Sequence, residues 1–274
     1  MLHAPLLGRV LLRFDTGQEE LHEDLSAAVF SGDGSLWVAS DEHHSLERFS
    51  PVNPRVFGEH RHFLMADLLG EEVREEVDLE ALDFQDEHLW FVGSHSARRK
   101  KPKGRTMVKD LERLATVEHQ PWRFLLARVP LPESASGMQV EEVGNGLLAP
   151  RRTKKGSAYH KHFVDLDGLG IRELCRHGED LLILAGPTLP VEGPIRLFRL
   201  HQGLLLSGDT LHTQEQGVLE PLFDLKNGSR DDNAEGVAVF SWFEPDDSVL
   251  VVYDTPSPQR RYGPDGVLAD VFRL

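Results

Sequence analysis

The hydrophobic and polar positions repeat along the chain in one order: a short run of small or apolar residues, a polar turn, then a strongly apolar run. A first copy occupies 24–30, turns at Gly32-Asp33-Gly34 and continues over 36–41. The second occupies 78–84, turns over 85–88 and continues over 89–95. A third covers 170–175 and 181–186 around a turn at 177–180, and a fourth covers 233–240 and 249–254 around a longer turn through Pro245-Asp246-Asp247. Aromatic and β-branched content with Gly and Asp at the turns makes each copy a β-hairpin. Weaker alternating runs at 46–49, 62–65, 122–129 and 195–200 supply outer strands.

Four strands per repeat describe a propeller blade. At roughly 40 to 45 residues per blade, the length predicts an all-β propeller of about six four-stranded blades, two of them within 50–70 and 106–150. Segments 8–14 and 267–272 both read as strands, and pairing them would close the ring and remove an exposed edge. A two-sheet sandwich shares the short strands but gives no reason for the repeat. The whole chain, 1–274, is thus read as a single propeller domain with basic insertions near 97–120 and 145–160. Within the first insertion, Val108, Leu111, Leu114 and Val117 form one short apolar helical face.

Composition narrows the partners. Forty-five acidic against thirty basic side chains give a net charge of -15, which disfavours nucleic acid and membrane surfaces as partners unless a local patch meets them. Cys175 is the only cysteine, so neither an intrachain disulfide nor a C-x-x-C site is available, as expected of a reducing cytoplasm. No run approaches the roughly twenty apolar residues that span a bilayer, and the first residues lack an export signal's continuous apolar centre. A cytoplasmic location is expected.

In a hairpin, the start of the first strand lies beside the end of the second, so these positions from every blade gather on one face. The third residue of each repeat gives Ser26, Glu80, Arg172 and Glu235, and the strand ends give Asp41, Glu42, Ser94, His95 and Asp254. Convergent polar groups in a concave mouth are the usual form of a ligand site; the alternative is that they satisfy the backbone of adjacent blades. A basic run including Arg98, Arg99 and Lys101 follows a strand that ends on this face, and a second lies at 151–155. Both suit an anionic small molecule, or else form solvated loops. His160 and His162 share a strand face with Asp165 and Asp167 following, which reads better as an exposed edge strand than as a metal set. No Gly-x-Ser-x-Gly, P-loop or dinucleotide fingerprint occurs.

At Asp78-Leu79-Glu80-Ala81-Leu82, at Leu89-Trp90-Phe91-Val92-Gly93-Ser94-His95 and at Asn233-Ala234-Glu235-Gly236-Val237-Ala238, the sequence resembles the bacterial proteins grouped as domain of unknown function 3616. These look like relatives of phytase-like and esterase-like β-propellers. In phytase-like propellers, acidic residues hold calcium ions that bind substrate phosphate and activate water. The resemblance implies Asp41, Glu80, Glu235 and Asp254 as metal-holding positions, while Ser26 and Arg172 depart from an acidic ring. Two readings follow. One is a divalent-metal-dependent hydrolase of a phosphorylated or anionic small molecule, with a hard cation such as calcium, Glu80, Arg172 and Glu235 in the catalytic site, His95 as general acid or base, and Arg98, Arg99 and Lys101 on the substrate. The other is a non-catalytic propeller that binds a ligand or protein, with Arg172 paired to Glu80 or Glu235.

Overall fold

A computed structural model describes residues 3–15, 17, 19–40, 43, 45–69, 77–94, 98–100, 103–118, 123, 125–131, 161–187, 193–225, 232–243 and 247–274. Its architecture is all-β with two short helices, α1 (Met65–Leu69) and α2 (Met107–Ala115). Unit 1 is an antiparallel meander of β2 (Leu25–Phe30), β3 (Leu36–Ser40), β4 (Ser45–Asn53) and β5 (Val56–Leu64). Unit 2 holds β6 (Leu79–Gln85), β7 (His88–Gly93) and β10 (Leu126–Pro130), and the insertion between the last two carries β8 (Arg98–Arg99), α2 and β9 (Val117–Glu118). Unit 3 is β12 (Gly170–His177), β13 (Asp180–Gly186), β14 (Ile195–Leu200) and β16 (Leu219–Leu225). Beside it, β11 (His162–Val164) pairs in parallel with β15 (Thr210–His212). Unit 4 runs β17 (Asn233–Phe240), β18 (Ser248–Asp254), β19 (Gly266–Arg273) and then β1 (Leu6–Arg13), so the two terminal segments lie side by side from Leu6↔Phe272 to Arg13↔Gly266.

Local sequence explains the hairpins. Asp86 and Glu87 both take positive φ (51° and 60°), the two-residue turn whose twist suits a β-hairpin, and Asp tolerates it through local hydrogen bonding. In the first hairpin, Asp33 accepts from the Ser31 and Ser35 hydroxyls, the Ser35 N–H and Arg48, while Trp37 donates to Ser31 Oγ. These donors outweigh the cost of partial burial and lower the Asp33 carboxyl to about 2.

The innermost strands meet around a common centre: β2 touches β6 and β17, and β12 touches both of those. Three buried apolar clusters stitch neighbouring units together. One joins units 1 and 4 through residues such as Leu12, Phe57, Phe240 and Val271. Another joins units 1 and 2 through Trp37, Leu46, Leu79 and Phe91, and a third joins units 3 and 4 through Leu184, Leu197, Val237 and Val251. Where the length pointed to about six blades, the described residues build four units. The described parts of 50–70 and 106–150 are taken up by outer strands of units 1 and 2, by α1 and by the inserted α2. No helix of the described residues is long and apolar enough to cross a membrane.

Candidate functional site

A β-bulge interrupts each innermost strand at its third repeat position. The register slips between Leu25 and Ala27, Leu79 and Ala81, Ile171 and Glu173, and Ala234 and Gly236, leaving Ser26, Glu80, Arg172 and Glu235 as the extra residues. A bulge frees a side chain from the pleat's alternation and re-aims it. The four repeat-equivalent residues are therefore turned by one device, at the same end of the four strands.

Their fates differ. Ser26 is buried and donates to Leu79 O at 2.8 Å, tying unit 1 to unit 2. Arg172 donates through Nη1 to Glu235, the pairing expected of a binding mouth, and Nη2 lies 3.4 Å from Pro187 O. Gly186 makes room for it, because a Cβ there would collide with the Arg172 guanidinium stem. Gly236 allows β17 to approach β2, since a Cβ would lie 3.2 Å from Ala27 Cα and overlap the Val252 side chain. Glu80 keeps surface in solvent. Protein packed around its carboxyl, together with the Asp78 charge, holds it above the usual carboxylate range against the pull of Arg123 and Arg172.

Three residues outside the predicted set complete the mouth. Asp78, buried and held at φ 56°, forms an ion pair with the buried Arg123 beside Glu80. Carboxylates and guanidiniums thus alternate through Asp78, Arg123, Glu80, Arg172 and Glu235. Beneath them lies Glu173, 2% exposed, accepting the N–H of Val237 from unit 4 and that of Ala28 from unit 1 at 3.5 Å. Burial pushes its carboxyl well above the ordinary range, those two N–H groups oppose the rise, and Glu235 adds to it. The repeat itself carried the signal for Glu173, because the equivalent positions hold Ala27, Ala81 and Gly236. Below Glu173, a cavity of about 170 Å³ follows the centre, lined by 28–30, 82–84, 174–176 and 237–239 from the four innermost strands. Arg176 spans its rim, donating to Asp83 at 3.1 Å and to Phe84 O at 2.9 Å. Cys175, in the same wall, is pushed up to about 12 by burial and is a poor nucleophile.

Among the remaining expected residues whose side chains are described, Asp254 and His162 stand apart from this constellation. Asp254 contacts Thr255 Oγ1 at 2.9 Å and Asn233 Nδ2 at 3.5 Å, on the side where it bridges Asp24, and not Glu80 or Glu235. Asp41, Glu42, His95, Lys101, His160 and the run at 151–155 lie outside the described residues. Arg98 and Arg99 form β8, paired with Glu118 and Val117. His162 is exposed and hydrogen-bonds Thr210 at 2.7 Å. Calcium takes six to eight oxygen ligands, whereas among the described residues no three carboxylates or histidines converge as a metal set. Arg172 supplies to Glu235 the positive charge that a cation would bring, so the described donors do not fit the ion.

A family model described as "Protein of unknown function (DUF3616)" matches residues 24–145 and 137–270. No curated protein matches the chain. Among solved structures, a selenomethionine-substituted virginiamycin B lyase from Staphylococcus aureus is similar at 9% identity and a TM-score of 0.39, covering 97% of this chain and 99% of that one. A streptogramin B lyase is similar at 9% identity and a TM-score of 0.38, covering 99% of this chain and 100% of that one. Likeness at this level carries no argument about the site.

Proposed function

The chain belongs to the DUF3616 family of proteins of unknown function, and from the site itself we propose a ligand-binding β-propeller whose mouth holds a small polar molecule between Glu80 and the Arg172–Glu235 pair. In this reading the β1–β19 pairing closes the ring, and the mouth is the open end of its axis. The observation that carries it is the set of matched bulges, which brings repeat-equivalent residues of opposite charge to one place. Among the described residues, Asp78, Glu80 and Glu235 at the surface of the mouth outnumber Arg123 and Arg172 by one charge, and Glu80 is the one of these carboxylates that favours a proton. A hydroxyl or ammonium group would relieve that excess. An anionic group on the same molecule would meet Arg172. The test is a thermal-shift screen of amino acids, amino alcohols, polyols, inorganic phosphate and sugar phosphates. A stabilising compound whose effect disappears in Glu80→Gln and Arg172→Met supports the reading. No such compound, or one indifferent to both variants, sinks it.

One observation favours a second reading, hydrolysis: a solvent-accessible carboxyl held above its usual range beside a guanidinium suits proton transfer. Turnover of a generic phosphoester or carboxyl ester, falling by orders of magnitude in Glu80→Gln, would establish it. Stabilisation by calcium that is reversed by a chelator and lost in Glu80→Gln would restore the metal-dependent form.

A further inference from the structure

We propose that α2 and the basic segment before it dock this protein on an anionic lipid surface. No residue of α2 is buried. Met107, Val108, Leu111 and Leu114 are 79, 65, 57 and 40% exposed, and Val117 just beyond is 42% exposed. With 3.6 residues per turn, Met107, Val108, Leu111, Leu114 and Ala115 share an arc of about 120°, and the polar residues fill the remainder. Among the described residues nothing buries this arc, and apolar groups left in water point to a surface that covers them.

Charge decides which surface. Residues 98–118 carry eight basic side chains against three acidic, while the rest of the chain carries 22 basic against 42 acidic. The net charge of this insertion is opposite to that of the rest of the chain taken together, so an anionic bilayer attracts the insertion and orients the body away. The basic segment is fixed to the helix: Asp110 accepts the N–H groups of Lys103 and Arg105, each at 3.0 Å, which holds both residues beside the first turn. Lys100, Arg105, Lys109 and Arg113 line one groove, with Glu112 and Thr116, on the side of α2 away from that arc. With the arc seated at the acyl boundary, that side lies at the level of the headgroups. The area is small, so the docking is reversible.

The experiment uses the full chain and vesicles of phosphatidylcholine with or without one-third phosphatidylserine. Met107→Cys is labelled with a polarity-sensitive fluorophore; the Cys175 thiol, raised to about 12, leaves the new thiol as the reactive one. The expected result is a blue shift and co-flotation with the anionic vesicles alone, abolished by high salt. Leu111→Glu combined with Leu114→Glu should weaken binding about tenfold or more, as should Lys103→Glu combined with Arg105→Glu, with circular dichroism unchanged. Absence of binding at low salt, equal binding to neutral vesicles, or binding that survives the leucine variants overturns the proposal. So does self-association, or capture by an acidic polypeptide such as polyglutamate in place of vesicles, since either assigns the helix to a protein partner.

Discussion

The joint between units 1 and 4 and the joint between units 2 and 3 connect equivalent elements by opposite means. At the first, Phe240 sits 5.9 Å from Phe30 and 5.0 Å from Phe243, and a short parallel pairing of β1 with β5 runs the two units into one sheet. At the second, no buried apolar cluster of the described residues is shared. Ile171 and Leu174 of β12 are 52 and 47% exposed, and the contact across to unit 2 is made by Arg176 reaching Asp83, Gln85 and Phe84 O. The candidate mouth lies against this polar joint. Apolar joints supply cohesion, and the joint released from that duty carries charged side chains at the surface of the candidate mouth, where burial would otherwise penalise them.

The largest effect should come from the apolar joint. Phe240→Ala removes a ring that is 1% exposed and should cost about 3–5 kcal/mol in a denaturant titration. A second expectation concerns Glu173, which links units 1, 3 and 4. Its raised carboxyl means that the native state keeps a proton that the unfolded chain gives up. That contribution is full below the ordinary glutamate value of 4.5 and is lost as pH rises through the folded value. Glu173→Gln resembles the protonated form, so the variant should match the native chain in acid and become relatively more stable as pH rises. Melting curves across pH that stay parallel would show that Glu173 is not the proton-binding group. The smallest effect should come from Arg176→Ala, whose exposed contacts are worth about 1 kcal/mol or less. A loss equal to that of Phe240→Ala would break the contrast between the joints.

The repeat in hydrophobic pattern located the four innermost hairpins of the described residues, because strand pairs are specified locally by β-branched runs and turn residues such as Asp86-Glu87. It also located Glu80, Arg172 and Glu235 as equivalent positions, and the amphipathic face of α2. Two things escaped it. The bulges were illegible, since an extra residue in one strand is defined only against its partner. Arg123 was missed because it enters the mouth from the segment before β10, far from the repeat position it serves.

The sequence by itself determined an all-β chain of repeated hairpins, an acidic body with two basic insertions, and a short list of polar positions at strand starts, all properties of neighbouring residues. Only the tertiary structure decided that Arg172 takes Glu235 as its partner, that Glu173 reaches the backbone of two other units, and that one joint is polar. Those outcomes depend on which units meet around the common centre, on the room that Gly186 leaves for Arg172 and on how closely Gly236 lets β17 approach β2. Contact between residues more than sixty positions apart is set by packing in three dimensions, and local pattern carries no record of it.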